Sequence, residues 1–396
     1  MNLLFVSQYY PDSILELLTK YSKVGLDYAA NNLCRALVKG FRDNNINFDT
    51  INIPHLGSYP LYYKTPLVKG FVSESRRLKS ISYINITYAK RYFIKRKVKS
   101  QIYKWCDTHQ GDKFILFYSY DYISVLNDIK QQYCDVKACV IITDLPEYMA
   151  TNNGVVTRVN KIMGGDKPKL KTYFTDVDGF VFLAPAMKER LPIANQPWIV
   201  IEGIYNPEED KNTSEKLKEK VVLYTGDLGK RYGIVDLLKA FHGIKGDDYR
   251  LWLCGDGDSK EDINRYASID NRIRYLGLKC RREIINLQKS ATLLVNPRHS
   301  SEEYTRYSFP SKTMEYMASG TPTLMSHLEC IPDEYNRFLY FFNDESVAGM
   351  RKSIVEICEK DKNDLRLFGE MAANYIYKYK MPAPQTFKII SFINSL

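Results

Sequence analysis

The chain has 396 residues, which is long for a single hydrophobic core and indicates two domains. Its residues are 45% hydrophobic and 26% charged, with 21 Gly and 16 Pro, so a disordered chain, a collagen-like chain and a coiled coil are excluded. The net charge of +10 suits an anionic partner, such as a nucleotide, a nucleic acid or a lipid headgroup, without choosing among them.

Signals for export and for membrane insertion are missing from the sequence. No apolar run reaches the ~18 residues that a spanning helix needs. Met1–Val6 has no basic lead, so it is predicted as a buried strand rather than a signal peptide. The eight cysteines show neither metal-ligand nor disulfide-framework spacing, which favours reduced thiols in a cytoplasmic protein.

Apolar runs alternate with helical periodicity along the chain, which predicts parallel sheets with helices on both faces. The first half contains six predicted strands: Asn2–Gln8, Phe48–Ile53, Phe114–Tyr118, Ala138–Thr143, Gly179–Leu183 and Trp198–Ile201. The polar segment Glu202–Lys220 is the predicted boundary. Six more strands follow it: Val221–Tyr224, Tyr249–Cys254, Ile273–Tyr275, Thr292–Val295, Thr323–Met325 and Leu339–Phe342. The apolar tail after Met381 predicts a last helix that packs back on the first domain.

A glycine-containing turn follows the first strand of the second half. In Tyr224–Ile234, Gly226 and Gly229 free the backbone, and Lys230 and Arg231 stand beside them before a helix begins. Exposed N–H groups and cations at such a turn suit a diphosphate, and the alternative is a tight turn with two solvated cations. It is not a P-loop, because Gly-Lys-Ser/Thr is absent.

A second segment, Tyr304–Leu324, contains a helix start at Pro310 and Ser311. Glu315 falls on the same helix face as Ser311 and Lys312. A glutamate there could accept both hydroxyls of a ribose, while Lys312 and the helix N-terminus face a phosphate. The alternative is a Lys312–Glu315 surface ion pair on an ordinary amphipathic helix.

Two Asp-x-Asp pairs could suggest a metal, Asp176–Asp178 and Asp256–Asp258, but both are more typical of turns. We therefore expect no metal and no cofactor. Gly255 and Gly257 lack the third glycine of a dinucleotide fingerprint, because Lys260 stands at its position, so a Rossmann dehydrogenase is excluded.

The segments GDLGKRYGI, LCGDGD, NPR (residues 296–298) and YSFPSKTMEYMASGTPTL together resemble family 4 glycosyltransferases, which are retaining enzymes of the GT-B fold. The resemblance is specific over Val221–Leu324 and extends loosely to the whole chain. It implies an α/β fold with two facing Rossmann-like parallel-sheet domains, at residues 1–203 and 204–380, and a C-terminal helix at 381–396. It also implies a donor site built from Gly226, Asp227, Lys230, Arg231, Tyr307, Ser308, Ser311, Lys312 and Glu315.

In its donor half the sequence departs from the family pattern at two positions, and in the first half Thr143 and Asp144 stand where family members often have a histidine. Tyr307 stands eight residues before Glu315, where the family has a second glutamate that addresses the transferred sugar, and Glu302 or Glu303 is the alternative. Asp227 stands where an arginine is usual, which shifts the cationic role to Lys230, Arg231 and Lys312. We expect Lys230 and Arg231 to act in catalysis by stabilising the leaving diphosphate without a metal.

The first domain is expected to bind the acceptor. Asp144 follows a predicted strand and is expected to act in catalysis there, although a loop cap before Leu145-Pro146 is equally compatible with the sequence. In resembling enzymes a glycine before the first helix contacts phosphate or acceptor, which points to Gly25. Tyr9–Val24 would then form a long acceptor-side loop.

The expected activity is transfer of a sugar from a UDP-, GDP- or dTDP-sugar to a polyprenyl-diphosphate-linked saccharide, in bacterial capsule, exopolysaccharide or O-antigen synthesis. The alternatives are a nucleotide-sugar 2-epimerase of the same fold and a basic nucleic-acid-binding protein. The motifs suit a mononucleotide, so we expect no nucleic acid. Residues 75–106 carry ten Lys or Arg and no acid, interleaved with aromatic residues. They predict peripheral binding to an anionic membrane at the inner leaflet, with a solvated basic helix as the alternative.

Overall fold

The computed structural model describes residues 1–73, 77–87, 89–145, 167–207 and 216–396. The chain divides into two compact units, one of Met1–Asn206 with Pro382–Leu396 and one of Pro207–Met381. Much of the predicted boundary segment, residues 208–215, lies outside the described residues. In the described ranges, every helix is too short or too polar to cross a bilayer.

The first unit is built on a mainly parallel sheet. Its described strands are β1 (Asn2–Ser7), β2 (Phe48–Asn52), β3 (Leu67–Val68), β4 (Phe71–Val72), β5 (Leu78–Ser80), β6 (Tyr83–Ile84), β7 (Lys113–Phe117), β8 (Val136–Ile142), β9 (Gly179–Phe182) and β10 (Trp198–Val200). Eight of them form one sheet in the order β10-β9-β8-β7-β1-β2-β5-β4, in which only β4 and β5 pair antiparallel, and β3 pairs with β6. The central strands β1, β7 and β8 are mostly apolar and buried, as is typical of a parallel sheet covered on both faces by helices.

The described helices of the first unit before its C-terminal return are α1 (Asp12–Tyr21), α2 (Tyr28–Asp43), α3 (Ala89–Thr108), α4 (Leu126–Gln132), α5 (Lys167–Phe174) and α6 (Met187–Arg190). The prediction of a long loop over Tyr9–Val24 is wrong, since α1 occupies most of it. Asp12 lies in the first turn of α1 and Lys20 in the last, so both charges interact favourably with the helix dipole. Leu18 is the residue of α1 that is fully buried.

The second unit is a doubly wound parallel sheet. Its strands are β11 (Lys220–Asp227), β12 (Tyr249–Asp256), β13 (Ile273–Gly277), β14 (Leu293–Asn296), β15 (Thr323–Met325) and β16 (Tyr340–Phe341). Its helices are α7 (Ile234–His242), α8 (Lys260–Ile269), α9 (Arg281–Ser290), α10 (Lys312–Ala318), α11 (Val347–Cys358) and α12 (Lys362–Tyr379). The strand order β13-β12-β11-β14-β15-β16 reverses between β11 and β14. Ligands bind such sheets where the order reverses, beyond the carboxyl ends of the strands.

The C-terminal helix α13 (Pro382–Ser395) packs in the first unit, as predicted. Ile389 and Ile393 are fully buried in the core that also contains Phe41 of α2. Gly40 allows the close approach, because a Cβ there would lie 2.4 Å from the carbonyl oxygen of Pro382. The α/β architecture with parallel sheets is therefore confirmed.

Candidate functional site

Two loops of the second unit meet at the point where the strand order reverses. One loop joins β11 to α7 and the other joins β14 to α10. Gly233 ends the first loop with a φ of 77°, and a Cβ on it would lie 2.0 Å from the carbonyl oxygen of Pro297 in the second. Only glycine adopts this conformation and this contact without strain, so Gly233 holds the two loops together.

Lys312 crosses from α10 to the end of β11. A Cβ on Gly226, whose φ is 149°, would lie 2.2 Å from Cε of Lys312. Because glycine has no Cβ, the side chain of Lys312 can lie directly against the backbone of Gly226. The sequence thus places a lysine side chain against the glycine turn, where its charge can act on a ligand above the turn. A Lys312–Glu315 ion pair does not occur among the described contacts.

Glu315 is held instead by a buried amide. Nε2 of Gln288, on α9, donates hydrogen bonds to Oε1 of Glu315 at 2.6 Å and to Oγ1 of Thr225 at 3.0 Å. Tyr316 completes the network, because its hydroxyl donates to the Thr225 carbonyl at 3.0 Å. A carboxylate has about four acceptor positions. Gln288 takes one of them and fixes the rotamer, so the others remain for a ligand.

The predicted diphosphate residues have different partners. Asp227 closes the turn, since its Oδ1 accepts from the Gly229 N–H at 2.8 Å. The amine of Lys230 lies 3.4 Å from Asp262 and the side chain is 58% exposed. The guanidinium of Arg231 lies over the Tyr232 ring, 4.7 Å from its centroid, and donates to its hydroxyl at 2.5 Å.

The remaining predicted donor residues line the start of α10. Tyr307 is buried, and the guanidinium of Arg306 lies 5.6 Å from its ring centroid. The Ser308 carbonyl accepts from the thiol of Cys330 at 3.6 Å. Ser311 precedes α10 and is exposed at the edge of the site. Its side chain makes no capping hydrogen bond.

Three carboxylates of the two Asp-x-Asp pairs are engaged by other groups of the protein. Asp258 accepts the Lys230 N–H at 2.7 Å, and Asp256 pairs with Lys260 at 2.6 Å. Asp178 accepts the Ala138 N–H and the amine of Lys130, both at 2.7 Å. Across the described ranges, no group of three or more His, Cys, Asp or Glu is arranged to hold a metal ion.

Asp144 and Gly25 belong to the first unit. Asp144 follows β8, and its pKa is raised to about 6 by partial removal from water and then by the negative charge of Asp27, which a hydrogen bond from Thr143 opposes. The residue as a whole is exposed, whereas the raised pKa reflects a carboxyl group that is largely removed from water. Asp27 caps α2 by accepting the Ala30 N–H at 3.1 Å. A Cβ on Gly25 would meet no atom within 4 Å, so neighbouring protein atoms do not require glycine there. Pro146 lies outside the described residues.

Sequence reasoning assigned no role to three residues at these sites, Gln288, Asp27 and Arg298, although Arg298 belongs to the NPR segment. Gln288 is a fully buried polar residue on α9, and Arg298 directly follows the Asn-Pro pair at the end of β14. Asp27 stands at the cap of a predicted helix. The sequence places Arg298 after a strand and Asp27 before a helix, and these positions were the only available signal. The residues that they contact lie far away in the sequence.

Residues 206–372 match the family model for Glycosyl transferases group 1, which is less than half of the chain and nearly all of the second unit. Sucrose-phosphate synthase from Thermosynechococcus elongatus is similar over 100% of this chain and 98% of its own, with a TM-score of 0.63 and 13% identity. The chain has the GT-B fold.

Two other solved structures share this fold. HepE of Anabaena, in complex with UDP and glucose, covers 100% of both chains with a TM-score of 0.60 and 13% identity. The lipopolysaccharide outer core galactosyltransferase WaaB, in its apo form, covers 96% of this chain and 100% of its own, with a TM-score of 0.57 and 15% identity. No curated protein matches the chain in sequence.

Proposed function

We propose that this protein is a glycosyltransferase that moves a sugar from a nucleoside diphosphate to a hydroxyl of an acceptor, with retention of configuration. One observation carries the proposal. In the unit that matches Glycosyl transferases group 1, Glu315, Lys312 and the glycine turn at Gly226 gather where the strand order reverses. This is the position at which a doubly wound sheet binds a nucleotide.

The chemistry required of the site is stabilisation of the leaving diphosphate. Lys312 lies over the turn, and Lys230 and Arg231 flank it, so cations are available where negative charge develops. Glu315, fixed by Gln288, would accept the ribose hydroxyls. The carboxylates of Asp178, Asp256 and Asp258 are engaged by lysine amines or backbone N–H groups, which supports a reaction without a divalent metal.

The acceptor would bind in the first unit, where Asp144 and Asp27 place two carboxylates near each other at the carboxyl ends of the strands. We propose that Asp144 contacts the hydroxyl that receives the sugar and that Gly25 lies on the acceptor side. A carboxylate with a pKa of about 6 is ionised above that pH and can accept a hydrogen bond from a hydroxyl.

A donor panel tests the proposed function. UDP-, GDP- and dTDP-sugars are added separately, and thermal unfolding is followed, because a ligand at 100 times its dissociation constant stabilises the folded state by about 2.7 kcal/mol. HepE was solved with UDP, so UDP-sugars come first. One class of donor should raise the melting temperature, and the protein should release the nucleoside diphosphate from that donor only when an acceptor is present. Free epimerised sugar without acceptor would indicate a 2-epimerase instead, and no stabilisation by any donor would contradict the proposal.

We propose a lipid-linked acceptor because the exposed face of α3 suits an anionic membrane. Ile94, Val98 and Ile102 are buried on one side of this helix. The opposite side is exposed and carries aromatic and basic residues: Tyr92, Phe93, Arg96, Lys97 and Lys104. Each cation near an anionic surface contributes about 1 kcal/mol.

Not every basic residue of the 75–106 stretch is available for lipid. Lys99 pairs with Asp128, and the amine of Lys95 lies 5.7 Å from the Tyr173 ring centroid. Positions 75, 76 and 88 lie outside the described residues. The membrane proposal therefore depends on the exposed face of α3, defined by Arg96, Lys97 and Lys104.

Vesicle flotation tests this part of the proposal. The protein should float with vesicles that contain phosphatidylglycerol, stay behind with neutral vesicles, and be released by high salt. Replacing Arg96, Lys97 and Lys104 by Glu should abolish flotation. The matched control replaces three exposed cations of the second unit, Lys245, Arg282 and Lys352, and should still float. Equal flotation on neutral lipid, or none at all, would point to a soluble acceptor.

A further inference from the structure

The guanidinium of Arg298 lies close to two tyrosine rings at the edge of the proposed donor site. It follows Pro297 at the carboxyl end of β14, the strand that neighbours β11 where the order reverses. Its guanidinium carbon lies 5.0 Å from the centroid of the Tyr232 ring and 5.3 Å from that of Tyr304. The two rings meet edge to face, with centroids 6.4 Å apart.

A second guanidinium uses the same two rings. The guanidinium carbon of Arg231 lies 4.7 Å from the Tyr232 centroid and 5.8 Å from that of Tyr304. Both positive charges therefore lie around the same two rings, each guanidinium carbon at most 5.8 Å from either centroid. Burial raises the pKa of the Tyr304 hydroxyl, and the charges of Arg298 and Arg231 oppose that rise, which agrees with this placement.

The guanidinium of Arg298 is unsatisfied. Its Nε and Nη1 are buried and have no hydrogen-bond partner, and no carboxylate pairs with Arg298 within the described ranges. Two acids close to the neighbouring residue are engaged there, since His299 contacts Asp236 at 3.1 Å and Glu345 at 3.5 Å. Glu302 acts on Tyr304 but does not pair with Arg298.

Contact with two phenol rings does not replace the missing hydrogen-bond acceptors of Nε and Nη1. Cation–π contact stabilises the charge of a guanidinium, whereas buried N–H donors that have left water without an acceptor remain costly. A neighbouring cation of the same sign adds repulsion. An anion beside this cluster would supply the missing hydrogen-bond acceptor and reduce the repulsion between the cations. Part of the surface of Arg298 is accessible to such an anion. Planar, stacked arginines are the side chains best suited to phosphate and carboxylate groups.

We propose that Arg298, with Arg231 beside it, binds an anionic group of the donor, which is either the diphosphate or an acid group on the transferred sugar. The inference rests on the proposed function and deepens it. Asp227 at the turn next to Gly226 carries no positive charge, and Asp262 partly offsets that of Lys230, so Arg298 would add positive charge from the end of β14.

Isothermal titration tests the proposal with five probes: inorganic pyrophosphate, UMP, UDP, UDP-glucose and UDP-glucuronate. The variants are Arg298→Gln and Arg298→Lys, with Arg274→Gln as the control because Arg274 is an exposed arginine of the same unit. If the diphosphate is the ligand, Arg298→Gln should weaken pyrophosphate and UDP at least tenfold and leave UMP unchanged. If the sugar carries the acid, only the preference for UDP-glucuronate over UDP-glucose should disappear.

The lysine variant keeps the charge without the planar stack, so it should bind with intermediate affinity, and it decides the question if Arg298→Gln does not fold. Equal affinities for all probes in wild type and variants would overturn the proposal, even if the melting temperature falls, because the stack would then be structural. Binding of pyrophosphate that depends on Arg298, without binding of any nucleotide, would keep the anion site and contradict the proposed function. No binding of any probe to the wild type would overturn both.

Discussion

Replacing Glu315 by Gln changes one charge at the centre of the proposed ribose contact and keeps the shape. Gln288 already occupies one acceptor position of the carboxylate, so the substitution removes the charge from the hydrogen bonds to the ribose and leaves the buried network in place. A hydrogen bond to a charged group contributes about 1.5–3 kcal/mol. Glu315 is partly exposed, so the lower part of that range applies, and we expect a loss of about 1.5–2 kcal/mol, or about 10- to 30-fold in affinity.

Calorimetry with UDP and with its 2′,3′-dideoxy analogue measures this directly. Wild type should prefer UDP, and Glu315→Gln should lose most of that preference while it binds the analogue as wild type does. Glu356→Gln, an exposed carboxylate of α11, is the matched control and should change neither affinity. If Glu315→Gln bound UDP like wild type, or lost equal affinity for both ligands, the assignment of Glu315 to the ribose would be wrong.

Three further predictions concern the cations, the metal and Asp144. Replacing Lys312 by Ala should lower turnover at saturating donor more than replacing Lys230, because the Lys230 amine is already near Asp262, and steady-state kinetics would show the order. Turnover should survive EDTA, and strict dependence on added manganese would refute the proposed metal-free reaction. The pKa of Asp144 is about 6, above its unfolded value of about 3.9, so its charge opposes folding as pH rises through this window. Asp144→Asn should therefore melt higher than wild type at pH 8 and equally at pH 4, and an equal melting temperature at pH 8 would show that the carboxyl is not perturbed.

Strand positions could be predicted because buried parallel strands are short, apolar and bounded by turn residues. The prediction Thr323–Met325 matches β15, and the others differ from the structure by a few residues at their ends. The pairs β3–β6 and β4–β5 could not be predicted, since strands of two or three residues have no periodicity to detect. Helix α1 was missed because a single fully buried residue, Leu18, gives a weak core stripe.

The positions of the donor loops could be predicted from the sequence, but the contacts of their side chains could not. Glycines and cations at Gly226–Arg231 indicate a ligand turn from the sequence alone, whereas the partners of each side chain depend on folding. Glu315 meets Gln288, which is 27 positions away, and Arg298 meets Tyr232, which belongs to the other loop. Charge in the sequence therefore marks candidates, and the three-dimensional contacts decide which of them remain free for a ligand.

A crystal structure of the protein with the nucleoside diphosphate that the donor panel selects tests the central claim most directly. The claim predicts that the ribose hydroxyls lie within hydrogen-bond distance of Glu315 and that the phosphates lie between the Gly226–Gly233 turn and Lys312. A nucleotide bound away from the carboxyl ends of β11 and β14, or a ribose that points away from Glu315, would contradict it.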